Sequence, residues 1–276
     1  MDLASEIERN VRAALAEDVG RGDLTAPLIP AGKRVGAAVR CRQAAVICGQ
    51  PWFEACLRQL DPAVEIAWAV PEGARVDAGA RVCTVHGEAR ALLAAERVAL
   101  NFVQTLSGVA TATRRYVDAI AGTRARIVDT RKTLPGLRMA QKYAVRVGGG
   151  SNHRMGLYDA MLIKENHIAA AGGIRQAVTR ARKLERRGDW IQVEVENLEQ
   201  LREALDAGAT MILLDNMSVA QMREAVRIAG DRAELEASGG ITLENARAIA
   251  ETGVHRMSVG ALTKDLEAAD FSMRFE

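Results

Sequence analysis

Residues 191–261, IQVEVENLEQLREALDAGATMILLDNMSVAQMREAVRIAGDRAELEASGGITLENARAIAETGVHRMSVGA, repeat one pattern. A short apolar run ends in a polar residue, a loop follows, and an amphipathic helix leads to the next run. The runs are IQVEVEN, MILLDN, ELEASGG and HRMSVGA; the helices between them are LEQLREALDAG, SVAQMREAVRIAG and TLENARAIAETG. The repeat length is about 20 to 23 residues, and near-continuous apolar strands alternating with helices predict parallel βαβ units buried on both faces. Right-handed crossovers then place the helices outside, as a barrel or a doubly wound sheet. The short regular period and the absence of a GxGxxG turn favour a barrel. RIVDTRK (126–132) and AMLIKENH (160–167) read as two further strands, and GGGSNHR (148–154) as a place for a seventh.

Upstream the grammar changes. Residues 1 to about 88 open with a helix-like segment and then alternate short apolar runs with turns. VGAAVRCRQAAVICG (35–49) reads as strand, and PWFEACLRQL (51–60) as a helix with Pro51 in its first turn. Valines separated by Glu-Gly and Ala-Gly turns in VPEGARVDAGARVCTVHG (70–87) predict a small sheet. From Glu88 to Ala121 apolar residues recur at three- and four-residue steps, and Gly122 offers a stop. That helix, roughly 45 Å long at 1.5 Å per residue, links the two regions.

The 276 residues carry 37 basic and 35 acidic side chains, a net charge of +2, and 4% aromatic residues. Neither a broad nucleic-acid footprint nor a base-stacking platform fits that composition. No apolar run is long enough to span a bilayer, and the charged amphipathic N-terminus does not read as a signal peptide. Cys41, Cys48, Cys56 and Cys83 form no CxxC pair and no zinc spacing, so they read as reduced structural thiols of a cytoplasmic protein.

In barrels the site lies at the C-terminal strand ends. Those ends carry Arg131 and Lys132, Lys164, Glu194 and Glu196, Asp215, Ser238 with Gly239, and Gly260. Arg124 to Arg154 contains eight Arg or Lys and one acidic residue, Asp129. Arg138, Lys142 and Arg146 share one helix face, which is either a solvated stripe or part of the cluster. Arg131, Lys132, His153, Arg154 and Lys164 are the better candidates, because guanidinium and ammonium groups beside strand ends suit carboxylates or phosphates. Glu194 and Asp215 end successive strands, where paired carboxylates suit magnesium or a developing positive charge. They read otherwise as a structural pair bonding loop amides. The small residues of SGGI and VGAL let backbone N–H groups approach a phosphate. His86 and His255 read as satisfied core or surface groups, and His167 as a support for Lys164.

Several motifs resemble those of one family, quinolinate phosphoribosyltransferase. They are DTRKTLPGLRMAQKYAVRVGGGSNHRMGLYDAMLIKENH (129–167), EDVGRGDLT (17–25), ERVALNFVQTLSGVAT (96–111), VEVEN, LLDNM, ASGGI and SVGALT. The resemblance implies a small N-terminal α/β sandwich domain (1–100), to which a C-terminal tail (267–276) returns. It implies an open seven-stranded α/β barrel as catalytic domain (101–266), of the type II phosphoribosyltransferase kind. The implied reaction joins quinolinate to phosphoribosyl pyrophosphate with decarboxylation, giving nicotinate mononucleotide, pyrophosphate and carbon dioxide, a step of NAD biosynthesis. Arg131, His153, Arg154 and Lys164 then resemble the quinolinate-binding group, with Arg97 reaching in from a partner subunit of a homodimer or larger assembly. Lys132, Glu194, Asp215, Ser238, Gly239 and Gly260 resemble the residues around phosphoribosyl pyrophosphate. Lys132, Glu194 and Asp215 are the catalytic group, and Glu194 and Asp215 attend Mg2+. Three other readings share the residues: a molybdenum-operon paralogue with another substrate, a Schiff-base aldolase using Lys164, and a non-enzymatic sensor of pyridine metabolites.

Overall fold

A computed structural model describes residues 2–185 and 190–276. The first helix, α1 (Leu3–Asp18), starts where Asp2 accepts the Ser5 backbone N–H at 2.9 Å, a side-chain cap for an otherwise orphaned donor. After β1 (Arg34–Cys41) and β2 (Ala45–Val46) comes α2 (Gln50–Leu60), with Pro51 in its first turn. Then follow β3 (Glu65–Trp68), β4 (Arg75–Val76), β5 (Arg81–Glu88) and the 31-residue α3 (Ala89–Ala119). The predicted linking helix is therefore formed almost residue for residue.

The second series runs β6 (Arg126–Val128), α4 (Arg138–Val147), β7 (Met161–Ile163), α5 (Glu165–Ala171) and α6 (Ile174–Leu184). It continues with β8 (Ile191–Val195), α7 (Leu198–Asp206), β9 (Met211–Asp215), α8 (Val219–Ala229), β10 (Glu234–Ser238), α9 (Leu243–Ala250) and β11 (Arg256–Ser258). The chain closes with α10 (Ala261–Lys264) and β12 (Phe271–Phe275).

Two compact units result. One comprises Met1–Arg114, Thr133–Gly149 and Leu262–Glu276, the other Arg115–Lys132 and Gly150–Ala261. These bounds differ from the expected 1–100 and 101–266. α3 runs unbroken through residue 100, and α4 packs against α1 in the first unit. There Lys142 is buried and Arg138 half-buried, whereas Arg146 is exposed, so the face they share is not uniformly solvated. The first unit holds an antiparallel sheet in the order β12-β1-β5-β3, with β12 paired to β1. Trp52, Phe53, Leu57 and Leu92 are buried in this unit, each such side chain contributing roughly 1.5–3 kcal/mol. All four cysteines are free and buried, and burial pushes the Cys56 and Cys83 thiols up to about 12.

The second unit holds a six-stranded sheet in the order β6-β11-β10-β9-β8-β7, parallel throughout. All six predicted strands form. At the other edge of β6, Ser151 makes an isolated parallel bridge to Val128, in the stretch read as a place for a seventh strand. The strands are buried on both faces, as expected: Gln192, Leu213 and Glu236 are buried on one face, and Val193, Ile212 and Leu214 on the other. Along β8, buried Val193 and Val195 alternate with Gln192 and Glu194, and along β9 Ile212 and Leu214 alternate with Leu213 and Asp215. Side chains alternate across a strand, so one face carries the polar residues together with Leu162 and Leu213, and the other is apolar core.

Candidate active site

At the C-terminal ends of the parallel strands lies a cavity of about 250 Å3. Arg131, Lys132, His153, Arg154, Lys164, Glu194, Asp215 and Ser238 all line it. Register explains the convergence. Glu194 lies opposite Leu213 and Leu213 opposite Glu236, while Asp215 lies opposite Ser238 and Ser238 opposite Ser258. Inward positions of neighbouring strands thus form two stacked rows. Arg97 belongs to the other unit; it is exposed on α3 and is not among the residues lining the cavity.

The cationic part is braced from β6. The Asp129 carboxylate, fully buried, accepts the His153 backbone N–H at 2.8 Å and the Asn152 amide at 2.6 Å. The Ser151 backbone N–H donates to the Ile127 carbonyl at 2.8 Å, which pins GGGSNHR alongside the strand. Arg154 is buried, and its Nη1 donates to the Ala160 carbonyl at 3.3 Å. Asp159 accepts the backbone N–H groups of Met155 and Gly156, closing the loop behind Arg154. Burial first, and then the neighbouring Arg131 charge, hold the Arg154 guanidinium below its ordinary value.

His153 is buried, and both its ring nitrogens bond protein atoms. Nδ1 accepts the Arg154 backbone N–H at 2.8 Å, and Nε2 faces Gln192 Oε1 at 3.1 Å. These contacts tie the ring to its neighbours while His153 also lines the cavity. His167 Nδ1 accepts the Lys164 backbone N–H at 3.1 Å, supporting the turn where β7 ends. His255 Nδ1 accepts the Leu235 N–H at 3.0 Å, and the exposed His86 lies beside Arg34.

The acidic part begins with Glu194, whose Oε2 takes a hydrogen bond from Lys164 Nζ at 2.5 Å. Burial raises the Glu194 carboxyl above its ordinary value; Lys164 opposes this, and the Asp215 charge adds to it. Asp215 Oδ2 accepts from Asn216 Nδ2 at 2.8 Å. Asn216 stands at φ 51°, a left-handed backbone that Asn tolerates better than most residues. Its backbone N–H reaches the Ser238 carbonyl at 2.9 Å, so it ties the end of β9 to that of β10.

Two expected glycines sit against the residues of this site, Gly239 with no room for a side chain and Gly260 in a tight contact. Gly239 has φ +95°, and a Cβ there would stand 2.0 Å from Asn216 Oδ1. A Cβ on Gly260 would come within 3.0 Å of Lys132 Cδ. These glycines hold the loops after β10 and β11 against the residues that frame the cavity.

Among the described residues no group of three or more His, Cys, Asp and Glu side chains converges on a metal position. Two carboxylates, Glu194 and Asp215, do come close enough for one to shift the other. Magnesium takes one or two protein carboxylates and completes its shell with water and substrate phosphate, so this donor set fits it.

Thr130, Gln192, Glu236, Ser258 and Asn216 were not singled out from sequence. A signal did exist for Gln192, Glu236 and Ser258. Each lies two residues before a strand-end candidate (Glu194, Ser238, Gly260), on the same face of its strand.

Comparison with known proteins matches residues 23–107 to the family described as quinolinate phosphoribosyl transferase, N-terminal domain, and residues 109–274 to its C-terminal domain. The chain is 45% identical over 273 residues to the nicotinate-nucleotide pyrophosphorylase (carboxylating) of Mycobacterium leprae, covering 95% of each chain. It is 39% identical over 291 residues to the mitochondrial quinolinate phosphoribosyltransferase (decarboxylating) 2b of Nicotiana tabacum, covering 98% of this chain and 82% of that one. The structure of the nicotinate-nucleotide pyrophosphorylase from Francisella tularensis superposes with a TM-score of 0.97 at 44% identity, covering 100% of this chain and 98% of the other.

Proposed function

The chain belongs to the quinolinate phosphoribosyltransferase family, and from that premise we propose that it joins quinolinate to phosphoribosyl pyrophosphate with loss of carbon dioxide. The products are nicotinate mononucleotide and pyrophosphate, a step of NAD biosynthesis. The observation that carries this reading is the division of one cavity into a cationic side and an acidic side, bridged by the 2.5 Å contact of Lys164 with Glu194.

Quinolinate, a pyridine dicarboxylate, takes the cationic side. Arg131, Arg154 and Lys164 neutralise its two carboxylates, and His153 supports Arg154 from behind. Desolvated guanidinium groups bind carboxylates bidentately, and the burial of Arg154 strengthens that attraction. Phosphoribosyl pyrophosphate takes the other side, with Lys132 at the pyrophosphate and the backbone of Ser238, Gly239 and Gly260 along the phosphates. Glu194 and Asp215 would hold Mg2+, directly or through water; when bound, it supplies charge neutralisation for the phosphate oxygens.

The ring nitrogen of quinolinate bonds to the anomeric carbon as the carbon–oxygen bond to pyrophosphate breaks. Positive charge develops on the ribose in that transition state, and Glu194 and Asp215 stabilise it. Oriented charges of this kind account for much of enzymatic rate enhancement. When the neighbouring carboxylate departs as carbon dioxide, the electron pair of the broken bond stays on the adjacent carbon, where the now cationic nitrogen stabilises it, and that pair then takes a proton. The protein's part in this second step is to hold the ring and exclude water.

The aldolase reading is weaker. A Schiff-base lysine attacks as the free amine, whereas Lys164 donates to a carboxylate at 2.5 Å. Three finer points follow the family reading. A homodimer or larger assembly brings Arg97 across the subunit interface to complete the dianion pocket. The sheet is an open seven-stranded barrel, the Ser151 bridge marking its seventh position. The domains are an N-terminal sandwich over 1–100, to which the tail 267–276 returns, and a barrel over 101–266.

The test is steady-state turnover of purified protein with phosphoribosyl pyrophosphate and Mg2+, comparing quinolinate with nicotinate, which has one carboxylate. Quinolinate should support formation of nicotinate mononucleotide and nicotinate should not. Turnover of neither would return the chain to the paralogue with another substrate.

A further inference from the structure

Glu236, fully buried in the middle of β10, lines the cavity but lies outside the groups assigned above. Its Oε2 accepts a hydrogen bond from Gln192 Nε2 at 3.1 Å. Arg256 Nε stands 3.0 Å from the same oxygen as an ion pair, out of hydrogen-bond alignment. The guanidinium also lies over the Trp190 ring, 5.7 Å from its centre, and Trp190 meets the edge of the His153 ring at 5.0 Å.

Because Glu236 Oε2 accepts from Gln192 Nε2, the NH2 end of the Gln192 amide faces Glu236. The amide oxygen of Gln192 is thereby turned toward His153 Nε2, 3.1 Å away. That oxygen only accepts, so Nε2 carries a proton. Glu236 Oε1, 3.6 Å from the same nitrogen, puts a second negative atom there. At the far side of the ring, Nδ1 must keep its lone pair to receive the Arg154 N–H. The Gln192 orientation and the Nε2 proton follow from Glu236, and the lone pair on Nδ1 is set separately by the Arg154 N–H. Other charged groups face His153 as well: Asp129 holds its backbone, and Arg131, Lys132, Lys164, Glu194 and Asp215 share the cavity.

We propose that Glu236 and Gln192 are positioning residues which hold His153 as its neutral Nε2–H tautomer, so that His153 fixes the backbone of Arg154 for quinolinate. Protonating Nδ1 would break the bond to Arg154, so the positive charge that meets the dianion comes from Arg131, Arg154 and Lys164. The proposal rests on the quinolinate reading of the site, but the tautomer itself is measured without substrate.

Histidine labelled with 15N reports the ring nitrogens of all four imidazoles, and His153 is assigned by its loss in His153→Asn. Between about pH 6 and 8, the range in which histidine ordinarily titrates, the free protein should show Nε2 protonated and Nδ1 unprotonated. An imidazolium or the opposite tautomer overturns the proposal, whatever the protein's activity. Gln192→Leu, which removes the acceptor at similar volume, should mix the tautomers and raise KM for quinolinate about tenfold, the scale of one lost hydrogen bond. KM for phosphoribosyl pyrophosphate and kcat should stay within about twofold. A wild-type tautomer in Gln192→Leu, or equal changes in both KM values, also overturns it. Should Gln192→Leu fail to fold, the wild-type tautomer decides alone.

Discussion

Replacing Gly239 by Ala perturbs the acidic side of the cavity through one methyl group. The new Cβ would stand 2.0 Å from Asn216 Oδ1 and 3.1 Å from the Asn216 backbone nitrogen. The side chain of Asn216 must therefore leave, and its hydrogen bond to Asp215 goes with it, a loss of about 0.5–1.5 kcal/mol. At φ +95° a Cβ adds backbone strain of about 1–3 kcal/mol. Gly240 separates the two effects, because it also has positive φ (+59°) but a Cβ there meets nothing within 4 Å. In urea denaturation Gly239→Ala should lose about 1.5–4.5 kcal/mol in all, and Gly240→Ala only the strain. In kinetics Gly239→Ala should impair turnover and the use of phosphoribosyl pyrophosphate, with KM for quinolinate within about twofold. Equal stability losses in the two variants, with unchanged turnover in both, would refute the account of how Asp215 is placed.

Asp215→Ala should lower kcat by about 100- to 1,000-fold, the usual cost of losing one group that stabilises transition-state charge, while quinolinate binding by calorimetry persists. Lys164→Met tests the pH linkage of Glu194. Its carboxyl is raised by burial and pulled back by Lys164, so a raised folded value makes its contribution fade as pH rises above the ordinary 4.5. Without Lys164 that loss grows. The urea midpoints of wild type and Lys164→Met should therefore converge near pH 4.5 and separate toward neutral pH. Lys164 is 43% exposed, which limits the separation to about 1 kcal/mol; convergence in the opposite direction would be wrong for this pair. Mixing inactive Arg97→Ala subunits with inactive Asp215→Ala subunits should restore activity, since one site of each mixed dimer keeps both residues. Absence of recovery in mixed dimers shown by mass spectrometry would place Arg97 elsewhere.

Much of the fold was legible because strand and helix periods differ and repeat. β8, β9, β10 and β11 fall inside the runs that the sequence marks, and Gly122 does follow the long helix closely. Strand-end chemistry was legible for the same reason: a polar residue that closes an apolar run stands where the chain leaves the core for the cavity mouth. The unit boundaries were not, since what separates α4 from the strands flanking it is tertiary packing on α1, and local pattern carries no trace of it. Sequence alone leaves open whether Lys142 belongs to a solvated stripe, because its charge is visible and its burial is not. His153 was found by its place beside a strand end, but its tautomer depends on Gln192, 39 residues further along, and through it on Glu236, another 44 residues on. Asn216 was hidden differently, its role coming from a left-handed backbone and a glycine that follows the adjoining strand.

The central claim is that one cavity couples ribosyl transfer to loss of the carboxylate beside the ring nitrogen. It is tested most directly with quinolinate carrying 13C in either carboxylate, incubated with the protein, phosphoribosyl pyrophosphate and Mg2+. Label should leave as carbon dioxide only from the carboxylate adjacent to nitrogen, in equal amount to pyrophosphate and only when phosphoribosyl pyrophosphate is present. Release from the other carboxylate, or pyrophosphate formed without carbon dioxide, would contradict it.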